Sequence, residues 1–295
     1  MNVLLGLIIT VLGTFAVIRL FDRIVVLRRK KRQEREVEGY SSGRHVYFNP
    51  NPNAEVDEKT GEPKRWHTGD CVIRAFCGVL DLSWEEVYDD LCRIGADCHD
   101  FPNGLGPIRR YAKEKGLVKR TLPSSVSIAE FAASHDGVYF VSLNSHALCV
   151  KNNKLYDCAD FGRCRMRTYY EKGAVPDPSQ DRRSVKSHDE IVLAFCAALD
   201  LPWDTVYSDL CRLGRENHEM PNEKNTILRY IKNHGLVKKM LRPGMKLSEF
   251  ARTYDGTCLF QVTRGWGPLF VCIKDHAIQA SLDYGYCKIT SYYER

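Results

Sequence analysis

The stretch that decides the fold occurs twice in the chain. Residues 70–77 are Asp-Cys-Val-Ile-Arg-Ala-Phe-Cys, and residues 189–196, which lie 119 positions later, are Asp-Glu-Ile-Val-Leu-Ala-Phe-Cys. The same offset relates further pairs along the chain: Trp84 and Trp203, His99 and His218, Gly116 and Gly235, Phe131 and Phe250. A period of this length exceeds the roughly 20–50 residues of a solenoid repeat, so each copy is predicted to be a small domain.

The two copies differ at one position of chemical interest. Cys71 of the first copy is replaced by Glu190 in the second. The helical pattern occurs in both copies, whereas the thiol occurs in one. The sequence therefore predicts one working site and one degenerate copy. We therefore assign residues 66–172 to a first domain and 188–295 to a second, joined by a polar, proline-containing linker at 173–187.

Within the first copy, helical patterns come before strand patterns. Helices are predicted at residues 71–80, after Ser83, at 107–115 and after Ser127, where both serines begin capping boxes. Short runs rich in β-forming residues follow at 138–143, 146–150, 154–158 and 165–170. This order predicts an α+β fold with N-terminal helices and a C-terminal antiparallel sheet in each copy.

Charge and cysteine content exclude several classes of function. The net charge of the 295 residues is +6, and residues 28–35 alone contribute +5 of it, so the domains lack a basic footprint and no nucleic-acid partner is expected. The twelve cysteines contain no Cys-x-x-Cys motif, which favours free thiols in a reducing compartment. A zinc site at Cys92, Cys98 and His99 is disfavoured because Asn217 replaces Cys98 in the second copy, so no metal and no cofactor are expected.

The N-terminus predicts a membrane anchor. Residues 3–18 carry no charge, and Leu20 and Phe21 extend the apolar run toward the length of about 17–25 residues that a bilayer requires. The positive charges follow this run, which places the rest of the chain in the cytoplasm. We predict a single-pass transmembrane helix within residues 1–29, with a lipid bilayer as partner, and a polar tether at 30–65. An interfacial amphipathic helix extending to about Leu27 is the alternative.

Three residues of the first copy form a possible catalytic set. Cys71 opens a helix, where the helix dipole favours the nucleophilic thiolate. His146 opens a strand and could accept and return the proton, and Asp157 on the next strand could orient the imidazole. A two-residue turn at Asn152-Asn153 would bring His146 and Asp157 to one face of the sheet.

This set resembles the papain-like cysteine peptidase superfamily, in particular small peptidase-like proteins common in bacteria and their phages. The shared elements are an Asn-Pro-rich lead at residues 49–53, the helix start Gly-Asp-Cys-Val-Ile-Arg-Ala at 69–75, the strand histidine and the following Tyr156-Asp157. The resemblance covers residues of about 45–172 well and 186–295 in degenerate form. It implies that an upstream amide side chain stabilises the oxyanion together with the backbone N–H of the cysteine, and Asn51 or Asn49 is the candidate.

Several of these residues have simpler structural interpretations. His146 could be structural, because the second copy keeps His276 without a matching cysteine, and Asp160 could replace Asp157 in its role. Arg74 is interpreted as an ion-pair strut. The hypothesis is a membrane-anchored, cytoplasm-facing thiol hydrolase acting on a peptide or isopeptide bond of a protein substrate. The alternatives are a non-catalytic membrane-tethered scaffold, or acyl transfer or deamidation by the same three residues.

Overall fold

The computed structural model describes residues 41–53, 69–173, 189–241, 244–263, 268–280, 284–289 and 291–295. This part of the chain contains eight helices and two sheets, so the predicted α+β class is confirmed. The predicted anchor at 1–29 and most of the tether and linker lie outside the described residues. Among the described helices, no single one is long and apolar enough to cross a membrane, and one pair bent by 114° passes on length and composition alone.

In the first copy the helices do precede most of the strands. Its elements are β1 (His45–Tyr47), α1 (Cys71–Leu80), α2 (Trp84–Cys98), α3 (Leu105–Glu114), β2 (Leu117–Ser127), α4 (Ile128–Ser134), β3 (Val138–Ser142), β4 (Ala147–Lys151), β5 (Lys154–Asp157) and β6 (Arg165–Lys172). Ser83 and Ser127 both form the predicted capping boxes at α2 and α4. The strands β1 and β2 were absent from the sequence prediction.

The sheet of the first copy has the strand order β1-β5-β4-β3-β6-β2. Alternate residues of each strand face opposite sides. Phe140 and Cys149 pack against α1, α2 and α3 on one face, while Val141 and Leu148 pack under α4 on the other. All pairings are antiparallel except that of β1 with β5, which is parallel. The lead-in segment is thereby fixed beside the strand that carries Asp157.

The second copy repeats this arrangement with a smaller sheet. Its elements are α5 (Glu190–Leu199), α6 (Trp203–Glu216), α7 (Lys224–Asn233), β7 (Val237–Met240), α8 (Leu247–Thr253), β8 (Thr257–Thr263), β9 (Pro268–Lys274), β10 (Ala277–Gln279) and β11 (Ser291–Glu294). The strand order is β10-β9-β8-β11-β7. Within the described residues, this sheet has no strand that corresponds to β1.

The two copies pack against each other through α2 and α6, in a two-fold arrangement. Tyr88 donates a hydrogen bond to the carbonyl of Cys211 (2.9 Å), and Tyr207 donates one to the carbonyl of Cys92 (3.2 Å). Each tyrosine hydroxyl lies over a glycine of the other copy, and a Cβ built on Gly95 would come within 2.1 Å of Tyr207 Oη. The repeated tyrosines and glycines therefore build the same contact twice.

Each copy also inserts a side chain into the hydrophobic core of the other. Phe101, which follows α2, is 2 % exposed and belongs to the core of the second copy. Met220 occupies the equivalent position after α6, is fully buried and belongs to the core of the first copy. Both cores are thus completed by the opposite copy.

Candidate functional site

Cys71 is the first residue of α1, as predicted. The first intrahelical hydrogen bond runs from the Arg74 N–H to the Asp70 carbonyl (3.0 Å), so the N–H groups of the first turn point out of the helix start. The Cys71 residue as a whole is partly buried. A thiol at this position experiences the positive end of the helix dipole.

The β4–β5 hairpin brings the predicted imidazole and carboxylate together. His146 immediately precedes β4 and Asp157 ends β5, and the turn between the strands is at Asn152-Asn153, as predicted. His146 Nε2 is hydrogen-bonded to Asp157 Oδ2. The Phe161 ring stacks on the imidazole with a centroid separation of 4.0 Å and covers one of its faces.

Electrostatic interactions favour the charged forms of all three residues. Burial opposes ionisation of Cys71, but the nearby His146 imidazole and the Arg74 guanidinium outweigh it and lower the pKa of the thiol. Burial likewise lowers the pKa of His146, but Cys71 and Asp157 together raise it to about 10. Burial also disfavours the Asp157 anion, yet His146 and Arg74 lower its pKa. The arrangement therefore favours a thiolate–imidazolium pair.

The hydrogen bond to Asp157 determines which ring nitrogen serves the thiol. Because Nε2 of His146 is bound to the carboxylate, Nδ1 is the nitrogen left to interact with Cys71. In this state the imidazolium can stabilise the Cys71 thiolate and can donate its proton to a leaving group.

Arg74 forms ion pairs that connect α1, the helix that begins at Cys71, to the carboxylate of Asp157. Its Nη1 pairs with Asp70 Oδ1, and its Nη2 donates to Asp157 Oδ1 (3.1 Å). The exposed fractions are 5 % for Arg74, 0 % for Asp70 and 2 % for Asp157, so the three charges are shielded from solvent. Trp84 Nε1 donates a further hydrogen bond to Asp70 Oδ2 (3.1 Å).

The Asn51 amide, one of the two candidates for the oxyanion site, is already engaged. Asn51 Nδ2 donates to Asp70 Oδ2 (2.9 Å) and to the His218 carbonyl (2.9 Å), and its Oδ1 accepts from the Asn53 N–H. Asn49 Oδ1 accepts from the Asn51 N–H (3.3 Å). Asn51 thus lies next to the residue that precedes Cys71, but in the described arrangement both amide hydrogens are bound to other groups.

Asp160, the alternative to Asp157, caps a loop. Its Oδ2 accepts from the Ser42 N–H (2.5 Å) and its Oδ1 from the Gly162 N–H (2.9 Å). It makes no hydrogen bond with His146, whose carboxylate partner is Asp157. His99 and His218 both adopt a left-handed backbone conformation and contact a tryptophan of the opposite copy: His99 stacks on Trp203, and His218 meets Trp84 edge-to-face, which is a packing role.

The expected equivalence of His276 and His146 was wrong. Lys151 pairs with Asp81, and Lys274 pairs with Asp200, which identifies Lys274 as the counterpart of Lys151. His276 lies in the two-residue turn after β9, at the position of Asn153, and is 54 % exposed. The second copy has four more residues than the first between the start of β8 and the end of β9. The counterpart of His146 is therefore Leu269.

The second copy consequently lacks every member of the catalytic set. Glu190, Leu269 and Ala280 occupy the positions of Cys71, His146 and Asp157, and Leu193 occupies that of Arg74. The aspartate–tryptophan hydrogen bond persists, because Trp203 Nε1 donates to Asp189 Oδ2 (3.0 Å). That bond therefore belongs to the scaffold.

The sequence prediction missed the role of Asp70 as the hub of the buried network. A signal was present: an aspartate and a tryptophan fourteen residues apart recur in both copies, as Asp70 with Trp84 and Asp189 with Trp203. The stacking residue Phe161 and the contacts from the second copy had no comparable signal, because they depend on distant parts of the chain.

No family model, no curated protein and no solved structure matches the chain. Within the described ranges, no three His, Cys, Asp or Glu side chains are grouped as a metal ion requires.

Proposed function

We propose that the chain is a papain-like thiol hydrolase that cleaves a peptide or isopeptide bond. Cys71 is the nucleophile, His146 the general base and acid, and Asp157 the residue that orients the imidazole. The observation that carries the proposal is the His146–Asp157 hydrogen bond beside a helix-start thiol whose pKa is lowered by that same imidazole.

The reaction follows from the charges of these groups. The Cys71 thiolate attacks the carbonyl carbon of the scissile bond and forms a C–S bond. Collapse of the tetrahedral species breaks the C–N bond, and His146 gives its proton to the leaving amine. The neutral imidazole then takes a proton from water, which attacks the thioester and releases the acid and the thiol. The outward-pointing N–H groups at the start of α1 are the donors for the oxyanion, with the Cys71 N–H foremost.

The membrane anchor belongs to the same proposal. A single-pass helix within residues 1–29 would hold both copies at the cytoplasmic face of a membrane, through the basic segment at 28–35. The substrate would then be a protein reachable from that surface.

A second candidate function is a tethered binding scaffold without catalysis. One observation favours it: the second copy keeps its fold and its contacts after losing every catalytic counterpart. In that case Cys71 and His146 would be remnants that no longer act as a pair.

The two candidates separate on the reactivity of Cys71. The full chain is alkylated with iodoacetamide across a pH series, and the tryptic peptide 66–74, which holds Cys71 as its single cysteine, is quantified by mass spectrometry. The proposal expects an apparent pKa well below the ~8.5 of a free thiol, and a return toward that value in His146→Ala. If the apparent pKa of Cys71 is near ~8.5 in the wild type and does not change in His146→Ala, the result would support the scaffold instead.

A further inference from the structure

The second copy also contacts the segment that leads into Cys71. The 217–223 loop of the second copy, which joins α6 to α7, supplies these contacts. The His218 carbonyl accepts from Asn51 Nδ2 (2.9 Å), and the Asn217 carbonyl accepts from Asn53 Nδ2 (2.7 Å). Both asparagines lie in the Asn-Pro-rich lead of the first copy.

The same loop also covers the backbone immediately before the nucleophile. A Cβ built on Gly69 would lie 2.1 Å from Glu223 Oε1 and 3.7 Å from Met220 Cγ. Gly69 has a left-handed φ of +68°, which a residue with a side chain adopts at a cost. The sharp turn that presents Cys71 is therefore formed directly against two side chains of the second copy.

A continuous series of hydrogen bonds runs from this loop to the catalytic imidazole. It passes from the His218 carbonyl through Asn51 to Asp70, from Asp70 through Arg74 to Asp157, and from Asp157 to His146. Of the side chains in this series, those of Asn51, Asp70, Arg74 and Asp157 are at most 5 % exposed. Water therefore offers little compensation if one link of the series is broken.

Resting on the proposed function, we propose that the degenerate second copy is a built-in positioning element for the Cys71 site, acting through Met220 and Glu223 of the 217–223 loop. The loss of catalytic residues from the second copy left its loop side chains in place. Glu223 lies against the backbone of Gly69, and burial together with the nearby Glu219 and Asp70 raises the pKa of its carboxyl group to about 7. A glutamine at position 223 would keep the same shape.

The two-fold arrangement supplies a matched control. Met220 enters the core of the first copy, and Phe101 enters the core of the second at the equivalent position. Met220→Ala and Phe101→Ala each remove one buried side chain from the same interface. Phe101→Ala removes the larger one, but it does so on the side away from Cys71.

The test measures the pH dependence of Cys71 alkylation in the full chain, again through peptide 66–74. We expect Met220→Ala and Glu223→Ala to raise the apparent pKa of Cys71 by about one unit, seen as a roughly 10-fold slower rate below that pKa. Glu223→Gln should retain the wild-type profile, and Phe101→Ala should change the rate less than about 2-fold. If Met220→Ala does not fold, the Glu223→Ala and Glu223→Gln pair decides the question.

Two results would overturn the positioning role. Equal shifts in Met220→Ala and Phe101→Ala would indicate general loosening of the interface, and wild-type profiles in both Met220→Ala and Glu223→Ala would show that the loop does not act on the site. Failure of the proposed function looks different, because the wild-type thiol itself would then titrate like a free cysteine. In that case the positioning role falls with it.

Discussion

Replacing Arg74 with methionine tests whether the buried ion pairs hold the site together. The substitution keeps a long, unbranched side chain in α1 but removes the positive charge between Asp70 and Asp157. Both carboxylates remain inside the protein, at 0 % and 2 % exposure, without the guanidinium that now contacts them. The desolvation of two anions is then opposed by fewer favourable interactions.

The size of the effect follows from the separation and the burial. Two unit charges 3.1 Å apart, the distance between Arg74 Nη2 and Asp157 Oδ1, attract with about 5 kcal/mol at an effective dielectric constant of ~20. Removing one partner of a buried pair typically destabilises a protein by ~3–5 kcal/mol. Trp84 Nε1 and Asn51 Nδ2 continue to donate to Asp70, so we expect a loss of about 3–4 kcal/mol in the free energy of unfolding.

Urea unfolding at pH 7, followed by tryptophan fluorescence, measures this loss. The control is Leu193→Ala, which changes the equivalent position of the second copy, where the side chain is 41 % exposed, and should alter the free energy of unfolding by less than about 1 kcal/mol. A loss below about 1 kcal/mol for Arg74→Met would refute the view that the guanidinium compensates two buried carboxylates.

Further predictions concern pH, thiol selectivity and the interface. Because the pKa of His146 is raised to about 10 in the folded protein, the imidazolium contributes stability at neutral pH that is lost as the pH rises toward 10. The difference in unfolding free energy between the wild type and His146→Ala should therefore become smaller as the pH is raised from 7 to 10. At pH 7, Cys71 should be alkylated at least ~100-fold faster than Cys158, whose pKa burial raises to about 12, as measured on peptides of one digest; equal rates would contradict the activated pair. Gly95→Ala should cost about 1–3 kcal/mol in thermal unfolding because its Cβ would overlap a tyrosine hydroxyl of the other copy, whereas Gly106→Ala, with its nearest neighbour at 3.8 Å, should be neutral or slightly stabilising.

Features encoded by neighbouring residues could be read from the sequence. The start of α1 at Cys71, the capping boxes at Ser83 and Ser127 and the hairpin turn at Asn152-Asn153 each depend on residues within one or two turns of chain. The proximity of His146 to Asp157 followed from that hairpin alone. These elements were predicted correctly because their physical causes are local.

Features that depend on distant contacts could not be read in the same way. The strand β1 forms because residues 45–47 pair in parallel with β5, which lies more than a hundred positions further along the chain. From the sequence, His276 is interpreted as the histidine that the second copy keeps, and only the register of β8 and β9 reveals that it does not correspond to His146. The sequence around Phe101 and Met220 does not predict that each side chain enters the core of the opposite copy, because an apolar residue in a loop has many possible neighbours.

The insertion of Phe101 and Met220 into opposite cores also affects how the newly synthesised chain folds. Phe101 leaves the ribosome about 192 residues before Tyr293, the last core residue of the second copy, which at roughly 5–20 residues per second is about 10–38 s. During that interval the aromatic ring lacks the complete core that receives it, and the first copy lacks the Met220 side chain until that residue is made. The first copy therefore cannot complete its folding as it emerges. A nascent chain that stalls in the linker exposes apolar surface of the kind that chaperones recognise.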